Sequence, residues 1–149
     1  LDIRIARVFN CYGERMRLSD GRVIPNLITQ GLKGKPMTLH GDGSQTRSFC
    51  YISDLVDGLF DLSIRPDLSG EVFNLGNPDE VTIGELAAAI NQQLERPVPV
   101  TTVPPMVDDP PKRRPDISKA TRLLDFSPRI NLAEGISRII PWFSERIHD

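Results

Sequence analysis

Short apolar runs with the two-residue period of a strand alternate along this chain with longer runs of helical period, and that alternation restricts it to an α/β fold. The first run, "LDIRIARVFN", reads as a strand from about Ile3 to Phe9, closed by the turn-forming "NCYG". "VIPNLITQGLKGK" is predicted to be a helix, with Ile24, Leu27, Ile28 and Leu32 on one face and Gly34 as its stop. "PMTLHGDG" is a short extended piece. "ISDLVDGLFDLSI" repeats Ile52, Leu55, Val56, Leu59, Phe60 and Ile64 at helical spacing, which marks an amphipathic helix. "GEVFNLGNP" is a strand ended by Gly76, Asn77 and Pro78. Because the first strand is already under way at Leu1, with no methionine or turn before it, the chain is expected to be a piece of a longer protein.

Helices crowd the second half. "TIGELAAAINQQLE" opens on Thr82 and Glu85, the spacing of a capping box, and buries Ile83, Leu86, Ala87, Ile90 and Leu94. "PVPVTTVP" is expected at a sheet edge, since proline cannot donate within a sheet. Prolines 104, 105, 110, 111 and 115 predict an irregular, stiff loop. "DISKATRLLDF" is a short helix capped by Asp116 or Ser118, and "NLAEGISRIIPWFSERI" a last one opened by Asn131 and Glu134. Pro141 is expected to kink or break that helix, because an interior proline costs about 3 kcal/mol. A small, mostly helical lobe beside a sheet follows.

Composition excludes several classes of function. A net charge of −2 gives no global field for nucleic acid or an anionic membrane. No apolar run approaches the ~20 residues of a membrane span, and no secretory signal opens the chain. Cys11 and Cys50 lie far apart in sequence and outside any metal-ligand spacing, and are expected to be reduced in a cytoplasmic protein. His40 and His148 are too scattered for a metal site, and no metal is expected.

Four places gather polar or glycine residues near strand ends, where ligands collect in α/β folds. They are Asn10–Gly13, Asn26 in the first helix, "GDGSQTRSF" with Arg47, and "DDPPKRRPD" with Lys112, Arg113 and Arg114. Taken singly, each reads as readily as a turn or a solvated surface. Together they place guanidinium forks on stiffened loops, suited to bidentate capture of phosphate or carboxylate, with asparagine amides to assist. The residues alone therefore point to an anionic small-molecule site and identify no reaction.

"RIARVFNCYGERM", "DGRVIPNLITQGLKGKPMTLHGDGSQTRSFCYISDLVDGL", "FNLGNPDEVTIGELA" and "DDPPKRRPDISKA" resemble, in that order, the C-terminal half of the UDP-glucuronate decarboxylases. These form the UDP-xylose-forming branch of the extended short-chain dehydrogenase/reductase (NAD-dependent epimerase/dehydratase) family. Related 4-epimerases and 4,6-dehydratases share the plan. The resemblance implies a cytoplasmic homodimer in which NAD oxidises the sugar at C4, the β-keto acid loses CO₂, and NADH reduces the 4-keto pentose to UDP-xylose. It sets Asn10 and Arg47 on the diphosphate and Cys11 against the nicotinamide end of NAD. It lays Val23, Ile24, Pro25, Asn26, Leu27 and Ile28 over the UDP, and Thr38, Leu39 and His40 beside the uracil. Arg113 is set near the sugar carboxylate.

The fold implied is the C-terminal part of a Rossmann-type NAD-dependent epimerase/dehydratase. About 1–12 and 52–76 would belong to the sheet, and about 20–50 and 77–149 to the substrate-binding lobe. Two departures stand out. Where the family carries threonine and then proline three residues on, this chain has Cys11 and Glu14, so a hydroxyl contact to NAD would be lost or changed, while a backbone contact could survive. The glycine turn that binds NAD and the tyrosine-lysine pair four residues apart are missing: Tyr12 is followed at the fourth place by Met16, and Tyr51 by Leu55. No catalytic residue is therefore expected in this segment, NAD would be held mainly by residues outside it, and the segment alone would be an inactive UDP-sugar-binding piece.

Overall fold

Among the described residues of this computed structural model (1–105, 110 and 112–147), nine short strands are interspersed with five helices in an α/β arrangement. Asp108, Asp109 and Pro111 of the basic loop, and His148, lie outside the described residues.

Strand β1 (Ile5–Val8) pairs in parallel with β6 (Val72–Leu75), and helix α2 (Ile52–Ile64) and helix α4 (Ser118–Leu124) pack on that pair. Leu55, Leu62, Phe73, Leu75, Ala120, Leu124 and Phe126 form one core there. Gly58 lets α2 approach closely: a Cβ at that position would lie 2.6 Å from the Phe126 ring. That approach selects which face of α2 is buried. Leu55, Gly58 and Leu62 go inward, whereas Val56, Leu59, Phe60 and Ile64 of the expected apolar stripe remain exposed, Phe60 at 61%. Ile3, Ile5 and Val8 are exposed as well.

A second core fills the remainder. Helix α1 (Val23–Leu32), helix α3 (Ile83–Gln93) and helix α5 (Leu132–Arg146) contribute Ile24, Leu27, Ile28, Leu86, Ile90, Ile136, Ile139 and Phe143. Pro25 stands in the first turn of α1, where its missing N–H is no loss. Gly34, at φ 65°, stops the helix as expected, with Lys35 N–H reaching back to the Gln30 carbonyl. Thr82 and Glu85 form the expected reciprocal box on α3. On α5 only half of that motif forms: Asn131 accepts from Glu134 N–H, while the Glu134 carboxylate pairs with Arg138. Neither Asp116 nor Ser118 is the α4 cap: the N-cap position is Ile117, without a side-chain cap bond, and Asp116 stands one residue earlier, accepting from Ser118 N–H at 2.9 Å.

Pro141 does not break α5, which runs unbroken from Leu132 to Arg146. The proline is exposed, and Ile136, Ile139 and Phe143 on both sides of it are fully buried. Their burial is worth about 1.5–3 kcal/mol per side chain, which outweighs the local penalty.

Three more small sheets complete the fold. Strand β2 (Cys11–Tyr12) pairs in parallel with β5 (Cys50–Tyr51). Strand β3 (Met37–His40) pairs in parallel with β8 (Val100–Val103), which lies at a sheet edge as expected. Strand β4 (Thr46–Ser48) lies between β7 (Glu80–Thr82) and β9 (Lys112–Arg113). The last pairing differs from expectation. Part of the proline-rich segment is not irregular but adds a strand to the one that carries Arg47.

Candidate functional site

The turn at Gly41–Ser44 bends the chain from β3 to β4, with both glycines in the left-handed region, at φ 73° and 80°. Asp42 accepts from the Ser44 N–H and hydroxyl, and Gln45 donates to the His40 carbonyl, so the turn is tied at both ends. This fixes the start of β4 and thereby Arg47. Held between β7 and β9 and only 8% exposed, Arg47 donates to the Thr46 carbonyl at 2.7 Å. A buried guanidinium on a central strand is rigid before any ligand arrives, unlike one on a solvated loop.

Two cavities meet at Arg47 and Val23, which line both. The larger, about 350 Å³, is walled by Asn26, Leu27 and Gln30 of α1, Thr38, Leu39 and His40 of β3, and Gln45. The smaller, about 150 Å³, is walled by Asn10, Cys11, Tyr12, Ile24, Pro25 and Phe49 among others. The larger is of the size that holds small organic ligands. Twelve of the thirteen residues singled out in sequence are thereby placed as follows: Asn10, Cys11, Val23, Ile24, Pro25, Asn26, Leu27, Thr38, Leu39, His40 and Arg47 line one or both cavities, and Ile28 does not, being fully buried in the core.

Arg113, the thirteenth, lines neither cavity, but it stands in register with Arg47 on the adjacent strand. Its neighbours Lys112 and Arg114 both lie near Glu80, at 3.1 and 3.9 Å. Glu80 also accepts from the Thr46 hydroxyl, and that bond, with Lys112 adding to it, holds its carboxyl below the usual range. Alternation along the strand sends Arg113 to the opposite face from those two. All three residues of the basic run are exposed, and it is divided by partner: Lys112 and Arg114 lie against Glu80 of the sheet, and Arg113 faces away from it.

Gln30 and Gln45 were not singled out in sequence. Gln30 Oε1 accepts from the Thr38 N–H at 2.9 Å and so fixes β3 against α1. It follows Asn26 by four positions on the same helix face, a spacing that marks it as a neighbour. Asn26 itself donates to the Gly21 carbonyl, and Asn10 to the Ser48 carbonyl at 3.3 Å. Asn26 thus ties α1 to the loop before it, and Asn10 ties the chain after β1 to β4.

The titratable groups near the cavities are set against acid–base work. Burial pushes the Tyr12 and Tyr51 phenols above their ordinary range, and Glu14, bonded to the Tyr51 hydroxyl at 2.5 Å, raises the latter further. Burial also raises the Cys11 thiol and pushes that of Cys50 up to about 12. All four are protonated at neutral pH. No cluster of His, Cys, Asp or Glu among the described residues is arranged to hold a metal. No helix among them is long and apolar enough to cross a membrane. The arrangement can bind an anion and orient it.

The chain is similar to several known proteins. The chain is 48% identical over 147 residues to UDP-glucuronic acid decarboxylase 1 of Arabidopsis thaliana, covering 99% of this chain and 33% of that protein. It is 45% identical to UDP-glucuronic acid decarboxylase 1 of Danio rerio, covering 99% and 35%. The chain thus spans about a third of the length of the curated relatives it matches. Among solved structures, UDP-glucuronic acid 4-epimerase from Bacillus cereus in complex with UDP-glucuronic acid and NAD superposes with a TM-score of 0.91 at 30% identity, covering 98% of this chain and 46% of that one. The profile of the NAD dependent epimerase/dehydratase family matches residues 1–76, half of the chain, and the chain belongs to that family.

Proposed function

We propose that this chain is the nucleotide-sugar-binding segment of a protein that decarboxylates UDP-glucuronate to UDP-xylose. The observation that carries the reading is the sequence match to UDP-glucuronic acid decarboxylases over 99% of the chain, with Arg47 buried at the junction of two cavities. In this reading Arg47 and Asn10 take the diphosphate, β3 and the start of α1 take the nucleoside, and Arg113 lies toward the sugar carboxylate. A buried guanidinium fork suits an anion of two phosphates because it offers fixed, paired donors.

The residues present do not fit NAD by themselves. Gly41 and Gly43 shape the turn between two strands, and no helix N-terminus follows them to receive a pyrophosphate. Cys11, in place of the family's threonine, offers a thiol where a hydroxyl would bond. NAD is therefore assigned mainly to the part of the relatives that this chain does not cover, and the homodimer and cytoplasmic location to the parent protein.

A second reading is favoured by the fold match to the Bacillus cereus 4-epimerase, whose complex holds the same sugar nucleotide. Incubating the full-length parent with UDP-glucuronate and weighing the product by mass spectrometry separates the two. Loss of CO₂ to give UDP-xylose supports decarboxylation. A product of unchanged mass, the 4-epimer, would replace that reading with epimerisation.

A further inference from the structure

Cys11 and Cys50, far apart in sequence, are brought side by side. They are in-register partners on the parallel strands β2 and β5, and Cys11 packs against the core cluster that contains Cys50. In-register residues on neighbouring strands point to the same face, and the next pair confirms the register from the other face, with the Tyr12 and Tyr51 ring centroids 5.4 Å apart. Neighbouring strands lie about 4.8 Å apart, within the roughly 4.4–6.8 Å between Cα atoms that a disulfide spans. Both thiols are free. We infer that Cys11 and Cys50 are an oxidisable dithiol, a site at which the chain takes up an intramolecular disulfide from a small-molecule disulfide.

The difference in burial orders the steps. Cys11 is partly exposed on the wall of the smaller cavity, and Cys50 is fully buried. The Cys11 thiolate attacks one sulfur of the reagent, forming a mixed disulfide and releasing one small thiol. Cys50, which burial keeps almost wholly as the thiol at neutral pH, loses its proton to solvent base and, as the minor thiolate, attacks the Cys11 sulfur and releases the second thiol, so closure is slow at neutral pH and quickens as pH rises. The two protein thiols lose two protons and two electrons, and the reagent is reduced to two thiols. The product ties a residue of the cavity wall to the core strand at the head of α2. It also closes a long loop, from 11 to 50, that contains α1, β3 and β4.

The test is oxidation of the whole chain by oxidised glutathione, followed by alkylation and intact-mass and peptide mapping. The expected product is a monomer short of two hydrogens, with the Cys11 and Cys50 peptides joined, and a melting temperature raised by on the order of 10 °C. Cys50→Ala should stop at one glutathione on Cys11, whereas Cys11→Ser should leave Cys50 unreacted. Should Cys50→Ala lose its fold, the Cys11→Ser variant and the joined peptide of the parent chain still decide the matter. A native chain that carries glutathione on Cys11 but never closes, that links only between molecules, or whose thiols react only on unfolding, overturns the inference.

Discussion

Replacing Gly135 by alanine sets two effects of opposite sign against each other, and the structure says which wins. Gly135 is buried on α5, and a Cβ there would lie 2.0 Å from the Tyr12 hydroxyl oxygen, 2.7 Å from Cζ and 2.9 Å from Cε2. On helix propensity alone the substitution gains about 1 kcal/mol. Against this, the Tyr12 ring has little room to retreat, since it is 1% exposed and makes edge contacts with Phe49 and Tyr51 at 6.3 and 5.4 Å between centroids. Overpacking of such a core costs about 1–3 kcal/mol, and contact with the hydroxyl oxygen and two ring atoms puts this case at the top of that range. The net expectation is a loss of about 2 kcal/mol, or a fall in melting temperature of roughly 4–8 °C for a chain of this size. Urea unfolding followed by circular dichroism measures it. Combining the change with Tyr12→Phe removes the shortest contact and a buried hydroxyl without a protein partner among the described residues, and should recover about half of the loss. A Gly135→Ala chain more stable than its parent would refute this close packing of the Tyr12 ring on α5.

Further outcomes follow from the same contacts. In the full-length parent, Arg47→Ala should weaken UDP, substrate and product alike, by about 1.5–3 kcal/mol for a charge-assisted bond, raising the Michaelis constant more than it lowers turnover. Arg113→Ala should lower turnover and spare UDP affinity, and steady-state kinetics with UDP titration separates the pair. Asp54→Asn should cost about 1–3 kcal/mol in chemical denaturation, because its buried carboxylate accepts both the Arg129 and Ile130 N–H groups. The exposed side chains Val56, Phe60 and Ile64, with Ile3, Ile5 and Val8, should make the 149-residue chain self-associate, and Phe60→Glu with Ile64→Glu should reduce the sedimenting species to monomer. Unchanged association in that variant would place the contact elsewhere.

The elements that depend on local signals are legible in the sequence. Gly34 ends α1 because a left-handed C′ position is encoded by one residue, and Thr82 with Glu85 caps α3 for the same reason. Contacts across the fold are not legible. The buried face of α2 differs from expectation because periodicity gives the width of an apolar stripe and not its partner, and Gly58 at the Phe126 contact selects the narrower side. Pro141 leaves α5 intact, against expectation, because its cost is local and its compensation is not. The cavity walls at Asn26, Thr38, His40 and Arg47 are legible through family resemblance, whereas Gln30 and the register of Arg113 beside Arg47 arise from a helix–strand contact and a strand pairing that no short motif records.

The central claim is that the chain carries the nucleotide-sugar half of a divided site. Titration calorimetry of the 149-residue chain with UDP and with NAD tests it most directly. The expected result is saturable UDP binding that Arg47→Ala abolishes or weakens at least tenfold, the loss of about 1.4 kcal/mol, and no measurable heat with NAD. Tight NAD binding, or UDP binding indifferent to Arg47, would contradict it.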